Sequence, residues 1–130
     1  MIKVDKVKIE NLDTATTIYC DYENGGSSDR LWYEVSEDWS EYLSTDCGDA
    51  FFVVLVLLAH YQGQDISFTT PVSTRLYYGV TEILLPGLRV LNPELPIITV
   101  TADTQDFSFN PAGVGTALSL GVDSFHAVAS

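Results

Sequence analysis

The residues best suited to chemistry stand near the carboxyl end, where Gly115–Ser124 reads GTALSLGVDS. A short apolar strand, Val114–Leu118, delivers the chain to Ser119-Leu120-Gly121-Val122-Asp123-Ser124, and a helix is predicted to start at Asp123 or Ser124. Free backbone N–H groups at a helix start, together with the helix dipole, attract an anion. Ser119 and Ser124 add hydroxyl donors, and Gly121 permits close backbone approach or a positive φ. The candidate anion-binding set is therefore Ser119, Gly121, Val122, Asp123 and Ser124. The spacing is not that of the Walker loop, which is longer and ends in Gly-Lys-Ser/Thr. Nor is it the dinucleotide GxGxxG, although Gly113 and Gly115 echo part of it.

The stretch resembles the PP-loop of the ATP pyrophosphatase family, Ser-Gly-Gly-x-Asp-Ser after a strand. Ser119, Gly121, Asp123 and Ser124 stand at four of its five fixed places. Two upstream segments, LWYEV (Leu31–Val35) and PVSTRLYY (Pro71–Tyr78), resemble the leading domain of uncharacterised bacterial proteins that carry this loop. The resemblance implies a loop that grips the pyrophosphate of ATP in an enzyme that adenylates a carbonyl or carboxyl group. It implies ATP and Mg²⁺ as cofactors of the full-length protein, with neither held tightly by this chain alone. Leu120 replaces the family's first glycine, and its side chain and restricted φ should weaken the anion site. In the family the catalytic strands follow the loop. The implied layout is an accessory α+β domain over 1–110 and the start of a PP-loop-like nucleotide-binding domain over 111–130. The implied partner is the missing C-terminal catalytic portion, or another copy of the chain. No residue is assigned a catalytic role.

Two plainer readings stand beside this one. SLGVDS can be a strand–turn–helix junction without a ligand. The chain can also be a stand-alone, non-catalytic α+β interaction or dimerisation module, associating through the apolar helix Ala50–Ala59 and the aromatic residues. Trp32, Tyr33, Trp39, Tyr42, Tyr77 and Tyr78 could line a ligand face, but packing is the default. Arg75 and Arg89 are candidate anion contacts, but balancing an acidic surface is the default. His60 and His126 have no Cys, His or Asp at ligand spacing, so no metal site is assigned.

The elements that must position these groups follow from the hydrophobic pattern. Strands are predicted at Ile2–Glu10, Thr16–Tyr22 and Leu31–Val35, with a turn at Asn11–Asp13 and a second turn or loop over Glu23–Arg30. A short helix is predicted over Ser36–Leu43. A longer one, Ala50–Gln62, should be capped from Asp46–Asp49 and stopped by Gly63. Being apolar nearly all round, it should be buried on several sides. A strand at Asp65–Thr70 precedes a helix over Pro71–Leu91, capped by Ser73 and with a break or kink near Pro86-Gly87. Pro96–Ala102 is another strand, and Asp103–Asn110 a polar connector. The fold class expected is α+β to α/β: an antiparallel meander, then β-α-β-α-β with parallel pairing, ending in the strand–loop–helix start.

The bulk numbers limit the function classes. With 130 residues, 46% hydrophobic and 18% charged, the chain suits one folded unit. Eighteen acidic residues against six basic ones give a net charge of -12, which argues against direct contact with nucleic acid. Cys20 and Cys47 form no CxxC pair and are expected to be free thiols. The start MIKVDKVKIENL lacks the apolar core of a signal peptide, and AFFVVLVLLA falls short of the ~20 residues of a membrane span. The expectation is a cytoplasmic protein without membrane contact.

Overall fold

The computed structural model describes residues 1–107. Its centre is a mixed six-stranded sheet. Strands β1 (Ile2–Val4), β2 (Lys8–Asn11), β3 (Ala15–Asn24) and β4 (Ser27–Ser36) form the antiparallel part. All ten residues of β3 pair with β4 along one edge. On its other edge β3 pairs with β2 over Thr16–Tyr19 and with β1 over Tyr22–Asn24. The predicted strand Ile2–Glu10 is thus two strands. It breaks because the Asp5 N–H still bonds the Asp21 carbonyl (2.8 Å), whereas the Val7 N–H turns to the Thr70 hydroxyl (2.9 Å).

Of the turn or loop expected over Glu23–Arg30, the structure has a turn, only two residues long. Gly25 and Gly26 both have positive φ (60° and 88°), the geometry that matches a tight hairpin to strand twist. Both strands therefore run further than their apolar cores suggest.

After a 3₁₀ turn, Glu37–Tyr42, comes α1 (Asp49–Gln62), which ends at Gly63 in the left-handed region (φ 67°), as predicted. Neither Asp46 nor Asp49 caps it. Gly48 is the N-cap, and the Asp49 carboxylate instead accepts the Ser73 N–H at 2.7 Å. Next come β5 (Ile66–Phe68) and β6 (Val72–Ser73). The following helix is continuous from Thr74 to Leu91: α2 (Thr74–Tyr78), a π-helical segment (Gly79–Leu84) and α3 (Leu85–Leu91). Ser73 caps it by accepting from Leu76 N, as predicted. Of the break or kink expected near Pro86-Gly87, a break is absent: the helix runs through both residues. A proline ring clashes with the carbonyl four residues back, and the wider π turn just before Pro86 absorbs that conflict.

Strand β7 is only Val100–Thr101, and β8 (Thr104–Gln105) lies inside the predicted connector, paired in parallel with β6. The parallel pairing expected of the second half is present: β1 with β5, and β5 with β7. Two same-direction crossovers, β1 to β5 through α1 and β5 to β7 through α2–α3, place both helices on one face. Phe52 of α1 meets both Phe68 (5.0 Å between ring centroids) and Tyr77 (6.0 Å) there. The fold is α+β.

The core lies between that face and the helices. Ile2, Val4, Ile18, Cys20, Ile66 and Val100 from the sheet meet Phe51, Phe52, Leu55, Val56 and Ala59 of α1 and Val80 and Leu85 of the second helix. Each large side chain so buried contributes about 1.5–3 kcal/mol. The opposite face carries Lys3, Tyr19, Asp21, Arg30, Trp32 and Glu34 on the antiparallel part. On the parallel part the rung Lys3–Ser67–Thr101 continues it. Parallel strands covered on both faces are apolar throughout. Here they alternate, because among the described residues only one face is covered. For the same reason α1 is not buried on several sides: Val54, Leu57 and Tyr61 point outward and are exposed. Among the described residues no helix is long and apolar enough to cross a membrane.

Candidate functional site

The predicted anion loop, Ser119, Gly121, Val122, Asp123 and Ser124, lies outside the described residues, as do Leu120, Val114–Leu118 and His126. In open parallel sheets, ligands bind outside the carboxyl ends of the strands. Here β1, β5 and β7 end together at Val4, Phe68 and Thr101.

This edge is tied together by hydrogen bonds. The Thr69 hydroxyl donates to the Val4 carbonyl (2.9 Å). The buried Thr70 hydroxyl accepts from the Val7 N–H. The Gly48 N–H donates to the Pro71 carbonyl (2.8 Å), and the Val72 N–H to the Asp103 carbonyl (3.0 Å). With Asp49 holding Ser73, every residue from Thr69 to Ser73 is anchored to another element. Sequence reasoning placed Thr69 and Thr70 inside a strand and missed this role. The available signal was a pair of threonines directly before Pro71, where a strand must end.

A cleft of about 300 Å³ opens at this edge, lined by Lys3, Val4, Asp5, Asp21, Tyr22, Glu23, Ser28 and Thr69. Its charged groups are mostly acidic: Asp5, Asp21 and Glu23 against Lys3. Asp5 is held below the usual carboxylate range by the Lys6 backbone N–H and by Lys8, whose ammonium lies 3.3 Å away. Arg30 grips Asp21 through Nε (2.6 Å) and Nη2 (3.2 Å) while its guanidinium stacks 4.0 Å over the Tyr19 ring. Two of the nearby cations are thus engaged by carboxylates, which leaves Lys3 as the cation of the lining. The cleft suits a cation or a hydrogen-bonding ligand better than a bare phosphate. Among the described residues, no group of three or more His, Cys, Asp or Glu is arranged to hold a metal.

A second hollow, about 340 Å³ and more apolar, lies under the 3₁₀ turn, lined in part by Ile18, Tyr33, Val35, Tyr42, Leu43 and Cys47. Tyr33 is fixed by a hydrogen bond from its hydroxyl to the Ala50 carbonyl (2.8 Å) and by the Phe51 ring (5.3 Å). Trp39 and Tyr42 pack on one another at 5.7 Å. Tyr77 donates to the Val100 carbonyl (2.9 Å), so its hydroxyl joins helix to sheet. Tyr33 and Tyr77 are thus tied to the helices and the sheet, whereas Trp39 and Tyr42 are largely exposed. Both cysteines are free. Burial pushes the Cys20 thiol up to about 12, with Asp21 and Asp5 adding to the shift, and burial also raises Cys47. Neither is a ready nucleophile.

His60 is 1% exposed, and its Nε2 has no hydrogen-bond partner among the described residues. Desolvation lowers its pKa, the charge of Arg89 lowers it further, and a bond to the Pro96 backbone opposes both. The ring is a neutral core group. Arg89 stands beside it, half-buried, while Arg75 is exposed on α2. The structure does not bring the two arginines to the acidic cleft. Compared with protein-family models, curated proteins and solved structures, the chain matches none of them.

Proposed function

We propose that residues 1–110 form an accessory α+β domain that presents a phosphate-binding loop of the PP-loop ATP pyrophosphatase type at Ser119–Ser124. ATP-dependent adenylation would be the activity of the full-length protein. The observation that supports this reading is the sheet edge. After two crossovers the chain arrives at β7, whose outer side pairs with no strand among the described residues. Twelve residues separate Thr101 from an apolar segment, Val114–Leu118, which is followed by the loop. A strand added in parallel to β7 would end at the same edge as Val4, Phe68 and Thr101, and the carboxylate of Asp123 in the loop favours a phosphate carried with Mg²⁺ over a bare one. The reading includes a cytoplasmic setting, in keeping with two free cysteines.

Calorimetric titration with pyrophosphate, ATP and Mg²⁺ tests it. The native chain should bind weakly, at about millimolar, worth ~4 kcal/mol. Leu120→Gly should bind more tightly, Ser124→Ala more weakly, and both responses should need Mg²⁺. No detectable binding by Leu120→Gly would sink the reading. One observation favours a second reading, an interaction module without catalysis. Both helices turn apolar side chains outward, Val54, Leu57 and Tyr61 from α1 and Ile83, Val90 and Leu91 from the second helix. Under that reading Leu120→Gly changes nothing, and Ile83→Asp abolishes association.

A further inference from the structure

We propose that β4 is a pairing edge for a second copy of this chain, joined antiparallel about a twofold axis at Trp32, so that one sheet runs through both copies. This inference does not depend on the phosphate loop.

Edge strands defend themselves by brevity, proline, a bulge or charged side chains. β4 carries Asp29, Arg30 and Glu34 but has none of the other three. It is ten residues long, contains no proline, and keeps an unbroken register with β3 from Ser27 to Ser36. Among the described residues no strand pairs with its far side. The turn at Gly25-Gly26 decides which backbone groups that side presents. In a two-residue hairpin the closing pair, Asn24 and Ser27, exchanges both hydrogen bonds, and bonded and non-bonded pairs alternate from there. Ser28, Arg30, Trp32 and Glu34 therefore aim their N–H and C=O groups away from β3. The same four residues lie on the open sheet face, opposite Glu23, Asp21, Tyr19 and Thr17.

Only certain registers keep that face continuous across a twofold axis. With the axis at Trp32, Arg30 faces the partner's Glu34 and Glu34 faces the partner's Arg30. Trp32, 55% exposed, meets the partner's Trp32, and Leu31 meets the partner's Tyr33. With the axis at Arg30 or at Glu34, like charges stand opposite each other. With the axis at Leu31 or Tyr33, both charged residues face uncharged ones. The Trp32 register alone sets opposite charges face to face on both sides of the axis. Asp21 uses Nε and Nη2 of Arg30, leaving Nη1 for the new carboxylate.

Sedimentation velocity on the full chain over a wide concentration range is the first measurement, and a dimer that grows with concentration is expected. Glu34→Arg, an exposed change that leaves the β3 pairing intact, turns both attractive pairs repulsive and should raise the dimer Kd about tenfold. Disulfide trapping in a Cys47→Ala background fixes the register. Opposed Cα atoms about 5.5 Å apart are within disulfide range. Trp32→Cys should therefore link to its copy under mild oxidation, and Ser28→Cys, offset from its own copy by roughly 27 Å, should not. A monomer at every concentration with no Trp32→Cys link overturns the proposal. So does a dimer indifferent to Glu34→Arg but broken by Ile83→Asp, or a Ser28→Cys chain that links as readily as Trp32→Cys.

Discussion

Thr70→Val isolates the bond that holds the β1–β2 bend to the carboxyl edge of the parallel strands. Thr70 is 8% exposed and Val7 4% exposed, and the Val7 N–H reaches the Thr70 hydroxyl at 2.9 Å. Valine keeps the shape of threonine but removes the acceptor, leaving a buried N–H without a partner. That costs about 1–3 kcal/mol, partly offset by the extra methyl group. A net loss of about 2 kcal/mol should lower Tm by roughly 6–10 °C for a chain of this size. Thr70→Ser keeps the hydroxyl and loses one methyl group, so it should cost only about 1 kcal/mol. Urea unfolding gives the stabilities, and hydrogen exchange at the Val7 amide reports the bond itself. The reasoning fails if Thr70→Val is as stable as the native chain, or if its Val7 amide stays as protected as before.

Two further outcomes follow from the fold. The His60 pKa is lowered in the folded state by burial and by Arg89, so the unfolded chain binds the extra proton first. Stability is therefore full above the ordinary pKa of about 6.5 and falls as pH drops from there toward the folded pKa. Urea titrations between pH 8 and 5 should show this fall, and His60→Gln should flatten it. At the hairpin, Gly26→Val forces a β-branched residue to φ 88° and should cost at least about 1–2 kcal/mol, whereas Gly25→Asn, which gives Asn-Gly, should be neutral by the same assay.

Features fixed by neighbours in sequence were legible from the chain alone. Gly63 ends α1 and Ser73 caps the next helix because each acts within one turn of its own position. The features that were missed depend on distant residues. Asp49 looks like a cap until β6 brings the Ser73 N–H within 2.7 Å. Residues Thr104 and Gln105 look like a connector until Val72 and Ser73 give them a strand to pair with. The polar run Ser27–Arg30 hides the first half of β4, because at the hairpin's end neither face needs to be apolar. Pro96–Ile98 carry a strand-like sequence but pair with nothing described, so only Val100–Thr101 join the sheet. The acidic cleft was equally hidden. Lys3, Asp21 and Thr69 have no sequence pattern in common and meet only because β1 lies between β3 and β5.

The charge of the described residues bears on how ATP could be held. A chain of net charge -12 repels a triphosphate at long range, but at about 0.15 M salt charges beyond ~8 Å are screened, so the local groups decide. Locally, Lys8 and Arg30 are engaged by Asp5 and Asp21, and Lys3 stands against three carboxylates. Attraction would have to come from uncharged donors, the Ser119–Ser124 backbone and its hydroxyls, with Mg²⁺ neutralising Asp123 and the phosphate oxygens. Backbone donors release no condensed counterions, whereas lysine and arginine contacts would make affinity fall steeply with salt. The Leu120→Gly titration therefore discriminates further when repeated at 0.05 and 0.2 M salt. Binding that needs Mg²⁺ and hardly changes with salt fits a backbone nest. Binding that collapses with salt and ignores Mg²⁺ would instead locate the phosphate on cationic side chains such as Lys3 or Arg75, and the loop reading would fall even though a phosphate was bound.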